Sequence, residues 1–319
     1  RNPKSKIVTT IDAGIQSEAE RLLSRSIGNV RNEIGNAAMI VVDVDSGEVL
    51  ARVGSADFYD TPGGGQVDAC RAPRSPGSAL KPFVFGLAME RGALYSSEML
   101  LDGTLDLGRF NPENFDEQYR GLVSASEALR TSLNVPSVTV LERVGVAAVQ
   151  EFLTDLGLTT LNKPANHYGL GLTLGNCEVR LEELAGAYAM IANLGEFRPL
   201  RIVADGGRPA PRRFLSRGNC LELFEMLEQP LPFELGGAVH AAGIQTRVCW
   251  KTGTSTGHRD AWAFVFNRQY LVGVWMGNND GRPSRRLYGA WSALPLAGRM
   301  FRYLPPKNSA AWPEPAGDL

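Results

Sequence analysis

The hydrophobic pattern near the start of the chain changes from a helical repeat to an extended one. Apolar residues recur on one side of a helix that Asp12 can cap and that runs to about Val30. The next two apolar runs, 37–44 and 48–53, are rich in β-branched residues and are separated by a short Asp-Ser-Gly segment. Together these runs predict a β-hairpin.

The pattern from residue 94 to about residue 242 is mostly helical. Ser124 followed by Glu127 forms a capping box, which predicts a helix that ends near Val135 because Pro136 disfavours a helical residue before it. Residues 131–134 should therefore lie at a bend between helices. Further helices are predicted at 136–144, 147–156 and 180–193, and a loop at 206–211.

Strand patterns return at the far end of the chain. The β-rich runs are 247–255, 261–266 and 270–276, and a helix at 290–303 precedes a proline-rich tail with the composition of a linker. Strands at both ends with helices between them predict one α+β domain over residues 1–319. Its sheet layer comes from about 37–89 and 245–304, and a helical subdomain occupies about 90–244.

Charge and composition exclude several classes of function. The formal net charge of −1 favours neither nucleic acid nor an acidic membrane surface as the main partner. The chain has no apolar run long enough to cross a bilayer and no signal-peptide pattern at its start, so it should be soluble by itself. A membrane anchor would lie outside this chain, whose abrupt start suggests a fragment.

The cysteines and histidines argue against a metal site. Cys70, Cys177, Cys220 and Cys249 form no C-x-x-C pair, and the three histidines have no ligand spacing relative to them. We therefore expect no metal or other cofactor. Buried free thiols are favoured over disulfides, although two disulfides could form in an oxidising compartment.

Ser78 lies three residues before Lys81 at the start of an apolar helix. One helical turn separates the two side chains, and the preceding Pro-Gly places the Ser78 hydroxyl beside unpaired backbone N–H groups. Pro82 lacks the N–H that would bond to the Ser78 carbonyl, so the first turn should be loosened. A single S-x-x-K motif is nevertheless common by chance.

Two later motifs give Ser78 and Lys81 a context. Ser132-Leu133-Asn134 lies at the predicted bend, and Lys251-Thr252-Gly253-Thr254 lies on a predicted strand. Singly they predict a helix cap with a turn and a twisted edge strand. In this order, however, S-x-x-K, S-x-N and K-T-G form the catalytic set of penicillin-binding proteins and class A β-lactamases.

The residue types suit an acyl-transfer reaction. Ser78 is the candidate nucleophile, and Lys81 can act as its base if burial and the Lys251 cation lower its pKa. Only six of the 33 basic residues are lysines, and two of these six fall in the motifs. Ser132 can relay a proton to a leaving amine, while Asn134 can orient Lys81 and bind a substrate amide.

The strand motif supplies binding groups. Gly253 allows a substrate backbone to approach the strand, and Thr252 and Thr254 can bind a terminal carboxylate. The backbone N–H groups of Ser78 and Thr254 form the predicted oxyanion hole. Strand alternation places Lys251 opposite both threonines, and the pattern alone does not indicate how each reaches the cleft.

A rival motif overlaps the strand. Residues 253–257 match G-x-S-x-G, the nucleophile elbow of α/β-hydrolases, with Ser255 at its centre. That fold needs an acid and then a histidine downstream of the serine. The last histidine, His258, is too near Ser255 in sequence to serve as its base, so we reject this interpretation.

Nearly the whole chain resembles the transpeptidase domain of bifunctional class A penicillin-binding proteins, most closely their 1C type. The segments that carry the resemblance are RSPGS at 74–78, GLA at 86–88, NFD at 114–116, EAL at 127–129, WKTGT at 250–254, RDAW at 259–262 and VGVWMGN at 272–278. Two departures are His258, where an aromatic residue is expected, and Asn176-Cys177 in place of small residues. The first could alter the cleft and the second local packing.

The resemblance implies a central antiparallel sheet packed between helices, with the site beside a helical subdomain. It implies a D-Ala-D-Ala transpeptidase that cross-links peptidoglycan stem peptides through a Ser78 acyl-enzyme and that β-lactams acylate. It also implies a periplasmic location at the inner membrane and contact with other cell-wall synthesis proteins. The glycosyltransferase and C-terminal domains of such proteins are not in this sequence.

Three other functions share the motifs. A D,D-carboxypeptidase or a serine β-lactamase would use water as the acceptor, and no convincing extra glutamate motif of the class A deacylating type is present. A non-catalytic β-lactam sensor would be acylated without turnover. The sequence leaves these alternatives open, together with the identity of the acceptor amine.

Overall fold

The computed structural model of the protein describes residues 6–106, 108, 110–204, 207, 210–232, 247–308 and 312–313. Within these residues the helices are α1 (Ala13–Gly28), α2 (Lys81–Glu90), α3 (Ala125–Arg130), α4 (Asn134–Val144), α5 (Val146–Asp155), α6 (Ala165–Tyr168), α7 (Leu181–Ala192), α8 (Arg217–Leu227) and α9 (Ala293–Tyr303). The strands are β1 (Asn36–Asp43), β2 (Val49–Val53), β3 (Met99–Asp102), β4 (Gly121–Ser124), β5 (Glu196–Phe197), β6 (Arg212–Arg213), β7 (Cys249–Thr254), β8 (Asp260–Phe266) and β9 (Tyr270–Gly277).

One antiparallel sheet joins the two ends of the chain. Its strand order is β2-β1-β9-β8-β7, and β1 pairs with β9 from Asn36 opposite Gly277 to Asp43 opposite Tyr270. The predicted hairpin forms β1 and β2. This arrangement of one sheet with helices confirms the predicted α+β fold class. Strand β7, which carries the third motif, lies at the edge of the sheet.

Both faces of the sheet are covered because its side chains alternate between two apolar clusters. Ala261, Ala263 and Val265 of β8 face α9 on what we call the outer face, where α1 packs against β1 and β2. Trp262 and Phe264 face residues 77–80 and α7 on the inner face. The cleft with the three motifs lies at the inner face.

The structure corrects the predicted boundary between α3 and α4. Ser124 caps α3 by accepting a hydrogen bond from the Glu127 N–H, as predicted, but α3 ends at Arg130 rather than near Val135. Ser132 then adopts a left-handed φ of 63°, which interrupts the helix. Helix α4 begins before Pro136, because a missing N–H is harmless in the first turn of a helix.

Other predicted elements differ by a few residues. Helix α9 begins at Ala293 instead of 290, and residues 206, 208 and 209 of the predicted loop 206–211 lie outside the described residues. The prediction of a linker-like tail was wrong for Trp312, whose ring packs edge-on against Phe224 and under Arg247. An aromatic ring can bury its area against a core even in a proline-rich segment.

Two further findings concern the part of the chain that the structure describes. All four cysteines are free thiols, and Cys70, Cys220 and Cys249 are buried. No helix within it is long and apolar enough to span a membrane.

Candidate active site

The Ser78 turn is held tightly against strand β7. Residues Gly77–Leu80 form a 3₁₀ turn in which the Lys81 N–H bonds to the Ser78 carbonyl, and the α-helix starts only at Lys81. The prediction of a loosened first turn from Pro82 was wrong: the Lys81 N–H bonds to the Ser78 carbonyl in place of the N–H that Pro82 lacks, which gives a tighter 3₁₀ turn. Gly77 has a φ of 53°, and a side chain there would collide with the backbone of Thr254. Only glycine fits both conditions.

Helix α7 holds the Ser78 turn through the side chain of Tyr188. The Tyr188 hydroxyl donates a 2.6 Å hydrogen bond to the Ala79 carbonyl, and its ring stacks on Phe264 at 4.2 Å between centroids. The Trp262 indole N–H also donates to the Ser75 carbonyl at 2.7 Å. These aromatic residues of the inner face therefore fix the backbone that carries Ser78.

Lys81 is fully buried beneath the motif of the bend. Its Nζ donates to the Ser132 carbonyl at 2.7 Å, the Leu133 carbonyl at 3.0 Å and Asn134 Oδ1 at 2.7 Å. Burial, reinforced by the nearby Lys251 cation, holds the pKa of Lys81 well below its usual value. The three oxygen atoms act in the opposite direction, because together they suit an ammonium with three hydrogens.

Lys251 approaches Ser132 from the strand side. Its Nζ donates to Ser132 Oγ at 2.7 Å and to the Thr252 carbonyl at 3.0 Å. Burial lowers the pKa of Lys251 to about 7. Ser132 thus contacts both lysines, Lys81 through its carbonyl and Lys251 through its hydroxyl. A left-handed φ at a serine stores backbone strain, and here it presents both groups to the cleft.

Strand alternation separates the remaining motif residues. Lys251 and Gly253 are buried on the inner face, and a side chain at Gly253 would collide with the Pro76 carbonyl. Thr252 and Thr254 are half-buried on the opposite side, where Thr254 Oγ1 accepts a 3.1 Å hydrogen bond from the Gly289 N–H. The structure therefore brings together Ser78, Lys81, Ser132, Asn134 and Lys251, with the two threonines along the edge of the same strand.

The sequence motifs missed a buried support for Asn134. The Asn134 N–H donates to Asn114 Oδ1 at 2.8 Å, and Asn114 Nδ2 donates to both oxygens of Asp102 at 2.7 and 2.9 Å. Asp102 is fully buried and also accepts from the Arg120 N–H. In the sequence Asn114 stands out only as part of the NFD segment, which is the one available signal.

The Asn134 amide is oriented by a second contact. Asn134 Nδ2 donates to the Glu113 carbonyl at 2.7 Å, so its Oδ1 must face Lys81. Residues 113 and 114 therefore hold both the backbone and the side chain of Asn134. The contacts with residues 113 and 114, more than the S-x-N motif itself, determine the position of Asn134.

The rival serine has a structural role. Ser255 Oγ accepts hydrogen bonds from the Asp260 N–H at 2.8 Å and the Arg259 N–H at 3.3 Å, within the turn between β7 and β8. His258 lies 3.2 Å from the Leu287 carbonyl through Nδ1, and its ring contacts Phe115. The arrangement contains no serine–histidine pair, so it gives no support to a nucleophile elbow at Ser255.

The chain is similar in sequence to penicillin-binding proteins. The model of the penicillin binding protein transpeptidase domain matches residues 37–258. Penicillin-binding protein 1C of Escherichia coli (strain K12) is 37% identical over 95% of this chain and 39% of its own length. Penicillin-binding protein 1B of Vibrio cholerae is 28% identical over 97% of this chain and 41% of its own length. The chain thus spans about two fifths of these relatives.

Solved structures share the fold at lower sequence identity. The structure of the PonA1 protein from Mycobacterium tuberculosis in complex with penicillin V has a TM-score of 0.80 at 21% identity, covering 98% of this chain and 89% of that chain. A peptidoglycan glycosyltransferase from Burkholderia ambifaria has a TM-score of 0.74, with 92% and 97% covered. The family model spans most of the chain and contains all three motifs, so this chain belongs to the penicillin-binding protein transpeptidase domain family.

Proposed function

We propose that this chain is a serine D,D-transpeptidase that cross-links peptidoglycan stem peptides at D-Ala-D-Ala through an acyl-enzyme on Ser78. The observation that carries the proposal is the buried lysine pair: Lys81 and Lys251 both contact Ser132, beside the turn that bears Ser78. Family membership supports the reaction type. The proposal includes acylation of the same serine by β-lactams, in keeping with the solved complex of the PonA1 protein with penicillin V.

Lys81 is the base in this proposal. A neutral amine can donate only two hydrogens, whereas three oxygen atoms surround Lys81 Nζ at 2.7 to 3.0 Å. Loss of one proton therefore releases one contact, and the freed lone pair can turn towards Ser78 Oγ. Burial and the nearby Lys251 lower the pKa of Lys81, which favours this neutral form.

Acylation forms one bond at the penultimate D-alanine and breaks another. Ser78 Oγ bonds to the carbonyl carbon of that residue, the peptide C–N bond breaks, and Lys81 takes the Ser78 proton. The Ser132 hydroxyl gives a proton to the leaving amine and regains one from Lys251. The backbone N–H groups of Ser78 and Thr254 stabilise the oxyanion. In the second step an acceptor amine attacks the acyl carbon and a C–N bond forms, while its proton passes to the Ser132 hydroxyl and so back to Lys251. Ser78 Oγ takes a proton from Lys81 as its bond to carbon breaks.

Binding of the donor peptide follows from strand β7. An extended peptide can add to this edge strand, with its terminal carboxylate bound by the hydroxyls of Thr252 and Thr254 and its amide by Asn134. Thr254 Oγ1 already accepts from the Gly289 N–H, so its own hydrogen remains available to a carboxylate. A periplasmic location belongs to the same proposal.

Covalent labelling tests the nucleophile. A fluorescent penicillin should label the protein, Ser78→Ala should abolish labelling, and Ser255→Ala should retain it as the matched serine control. Labelling of Ser78→Ala would exclude Ser78 as the nucleophile. Loss of labelling in a folded Ser255→Ala protein would indicate that Ser255 is the nucleophile instead.

A peptide substrate separates the alternative functions. With a D-Ala-D-Ala peptide and an amine acceptor, we expect release of D-alanine together with incorporation of the amine. Release without incorporation would indicate a carboxypeptidase, and acylation without turnover would indicate a sensor. Rapid hydrolysis of the penicillin would indicate a β-lactamase.

A further inference from the structure

A groove with a volume of about 1210 Å³ opens beside the Ser78 turn. Arg74 and Ser75 form one wall, and residues 169–176 form the second. The third wall is the turn between β7 and β8, including Thr256 and Arg259. The groove therefore begins where strand β7 ends, immediately after Thr254.

The second wall is fixed to the segment that carries the nucleophile. The Ser75 hydroxyl donates to the Gly175 carbonyl at 2.8 Å. Gly175 has a φ of 86°, and a side chain there would collide with the backbone of Gly77. The groove and the Ser78 turn thus form one rigid unit, as a binding site adjoining the reacting atoms requires.

The lining of the groove carries more positive than negative groups. Among the described residues the basic side chains are Arg74, Lys163, Arg180 and Arg259, and the acidic ones are Glu178 and Asp260. Asp260 is buried and accepts a 2.9 Å hydrogen bond from the Trp275 indole, so it is withdrawn from a ligand.

Two of the four cations are free to bind. Arg180 is committed to Glu183 at 2.7 Å, and Arg74 lies over the Trp275 ring and within 3.4 Å of Asn279 Oδ1. Arg259 and Lys163 are exposed, and within the described ranges neither forms an ion pair. Exposed Glu178 is the only acidic group of the described lining that faces solvent there.

We propose that this groove binds the acceptor stem peptide and that Arg259 and Lys163 bind its carboxylates. The inference rests on the proposed transpeptidase function. The leaving D-alanine departs from the end of the donor that Thr252 and Thr254 hold, and the acceptor amine must reach the acyl carbon along the path that this group vacates. Ser255 and Thr256 lead from Thr254 directly into the groove, which gives an anionic stem peptide a cationic surface.

The ratio in which the acyl-enzyme reacts with an acceptor amine or with water tests whether the groove binds the acceptor. The full chain is acylated with a D-Ala-D-Ala peptide and offered two acceptor peptides that share one amine, one with free carboxylates and one with all carboxylates amidated. The ratio of amine transfer to hydrolysis is measured against acceptor concentration for the wild type, the double variant Arg259→Ala with Lys163→Ala, and the control pair Arg25→Ala with Arg91→Ala.

The double variant should need about five- to tenfold more of the carboxylate acceptor for half-maximal transfer, given typical energies of exposed ion pairs. The amidated acceptor, the control pair and acylation by penicillin should be unchanged. Added salt should weaken transfer to the carboxylate acceptor in the wild type alone. An equal effect on both acceptors, or none on either, would overturn the acceptor assignment.

A binding measurement separates this inference from the transpeptidase proposal. Calorimetric titration of Ser78→Ala with the carboxylate peptide should give an affinity that the double variant weakens by the same factor. If the wild type transfers to neither acceptor, the proposed function fails. The groove is rejected as the acceptor site, whatever the transfer assay gives, if the peptide does not bind. The same holds if its affinity is unchanged by the substitutions at Arg259 and Lys163.

Discussion

The two faces of the central sheet are buried to the same extent but hold different chemistry. On the outer face small and β-branched side chains pack against α1 and α9. On the inner face Lys81 and Lys251 lie among aromatic residues at 0% and 2% exposure. A buried amine costs stability, so burial on this face cannot be explained by packing alone.

The two faces of the sheet therefore have different roles: the outer face stabilises the fold, and the inner face holds the groups of the proposed reaction. The outer face stabilises the protein through apolar area removed from water. The inner face retains groups whose desolvation lowers their pKa, together with a strained Ser132, because the proposed reaction needs a neutral base. Substitutions on the inner face should therefore lower the acylation rate, and substitutions on the outer face should lower the free energy of unfolding.

The largest expected effect is that of Lys81→Met, which removes the proposed base. Acylation by penicillin should slow by about 10²- to 10⁴-fold, the range of general base catalysis. The melting temperature should change little, because loss of a desolvated amine offsets the two acceptors left unpaired, the Ser132 carbonyl and Asn134 Oδ1, whereas the Leu133 carbonyl keeps the Ser137 hydroxyl. Acylation is followed by stopped flow, with exposed Lys163→Met as the control. Rapid acylation of Lys81→Met would exclude Lys81 as the base.

Leu23→Ala tests the opposite face. Leu23 of α1 is fully buried in the outer cluster, so its truncation should lower the free energy of unfolding by about 2 to 5 kcal/mol. The acylation rate constant of the folded fraction should not change. Leu101→Ala is the matched control, because that leucine is 63% exposed. Denaturant unfolding measures the first quantity, and a large fall in the rate constant of folded Leu23→Ala would break the separation of the two faces.

Asn114→Ala should show that the inner face extends beyond the motifs. The change leaves the Asn134 N–H without its partner and leaves the buried Asp102 carboxylate with only its contacts to Arg120, so acylation should slow by about tenfold and stability fall by about 1 to 3 kcal/mol. The pH profile of acylation should also shift, since Asn134 contacts Lys81.

The matched control for Asn114→Ala is Asn219→Ala, which removes an amide contact to Glu90 elsewhere. It should leave the pH profile unchanged. An Asn114→Ala protein that loses stability but keeps the wild-type profile would reduce Asn114 to a purely structural residue.

The sequence predicts those parts of the site that depend on local rules. The Ser78 turn, the β1–β2 hairpin and the alternation of Lys251 against the threonines follow from backbone geometry within a few residues. The Asp102–Asn114–Asn134 network does not, because it joins three separate segments through side chains. Single-residue conformations such as the left-handed Ser132 are also invisible to periodicity, which is why the end of α3 was misplaced.

The smallest expected effect concerns the pH dependence of stability and isolates Lys251. Its pKa is about 7 in the folded protein and 10.5 as the ordinary value, so between these values the unfolded chain binds more protons. Stability from this group must then rise with pH across that window. Lys251→Met should be more stable than the wild type by a margin that shrinks by about 2 kcal/mol from pH 7 to pH 9. Urea unfolding at both pH values gives the difference in free energy of unfolding between variant and wild type. For the exposed-lysine variant Lys163→Met this difference should not change with pH. A constant margin would mean that Lys251 is not desolvated, and the contrast between the two faces would then rest on Lys81 alone.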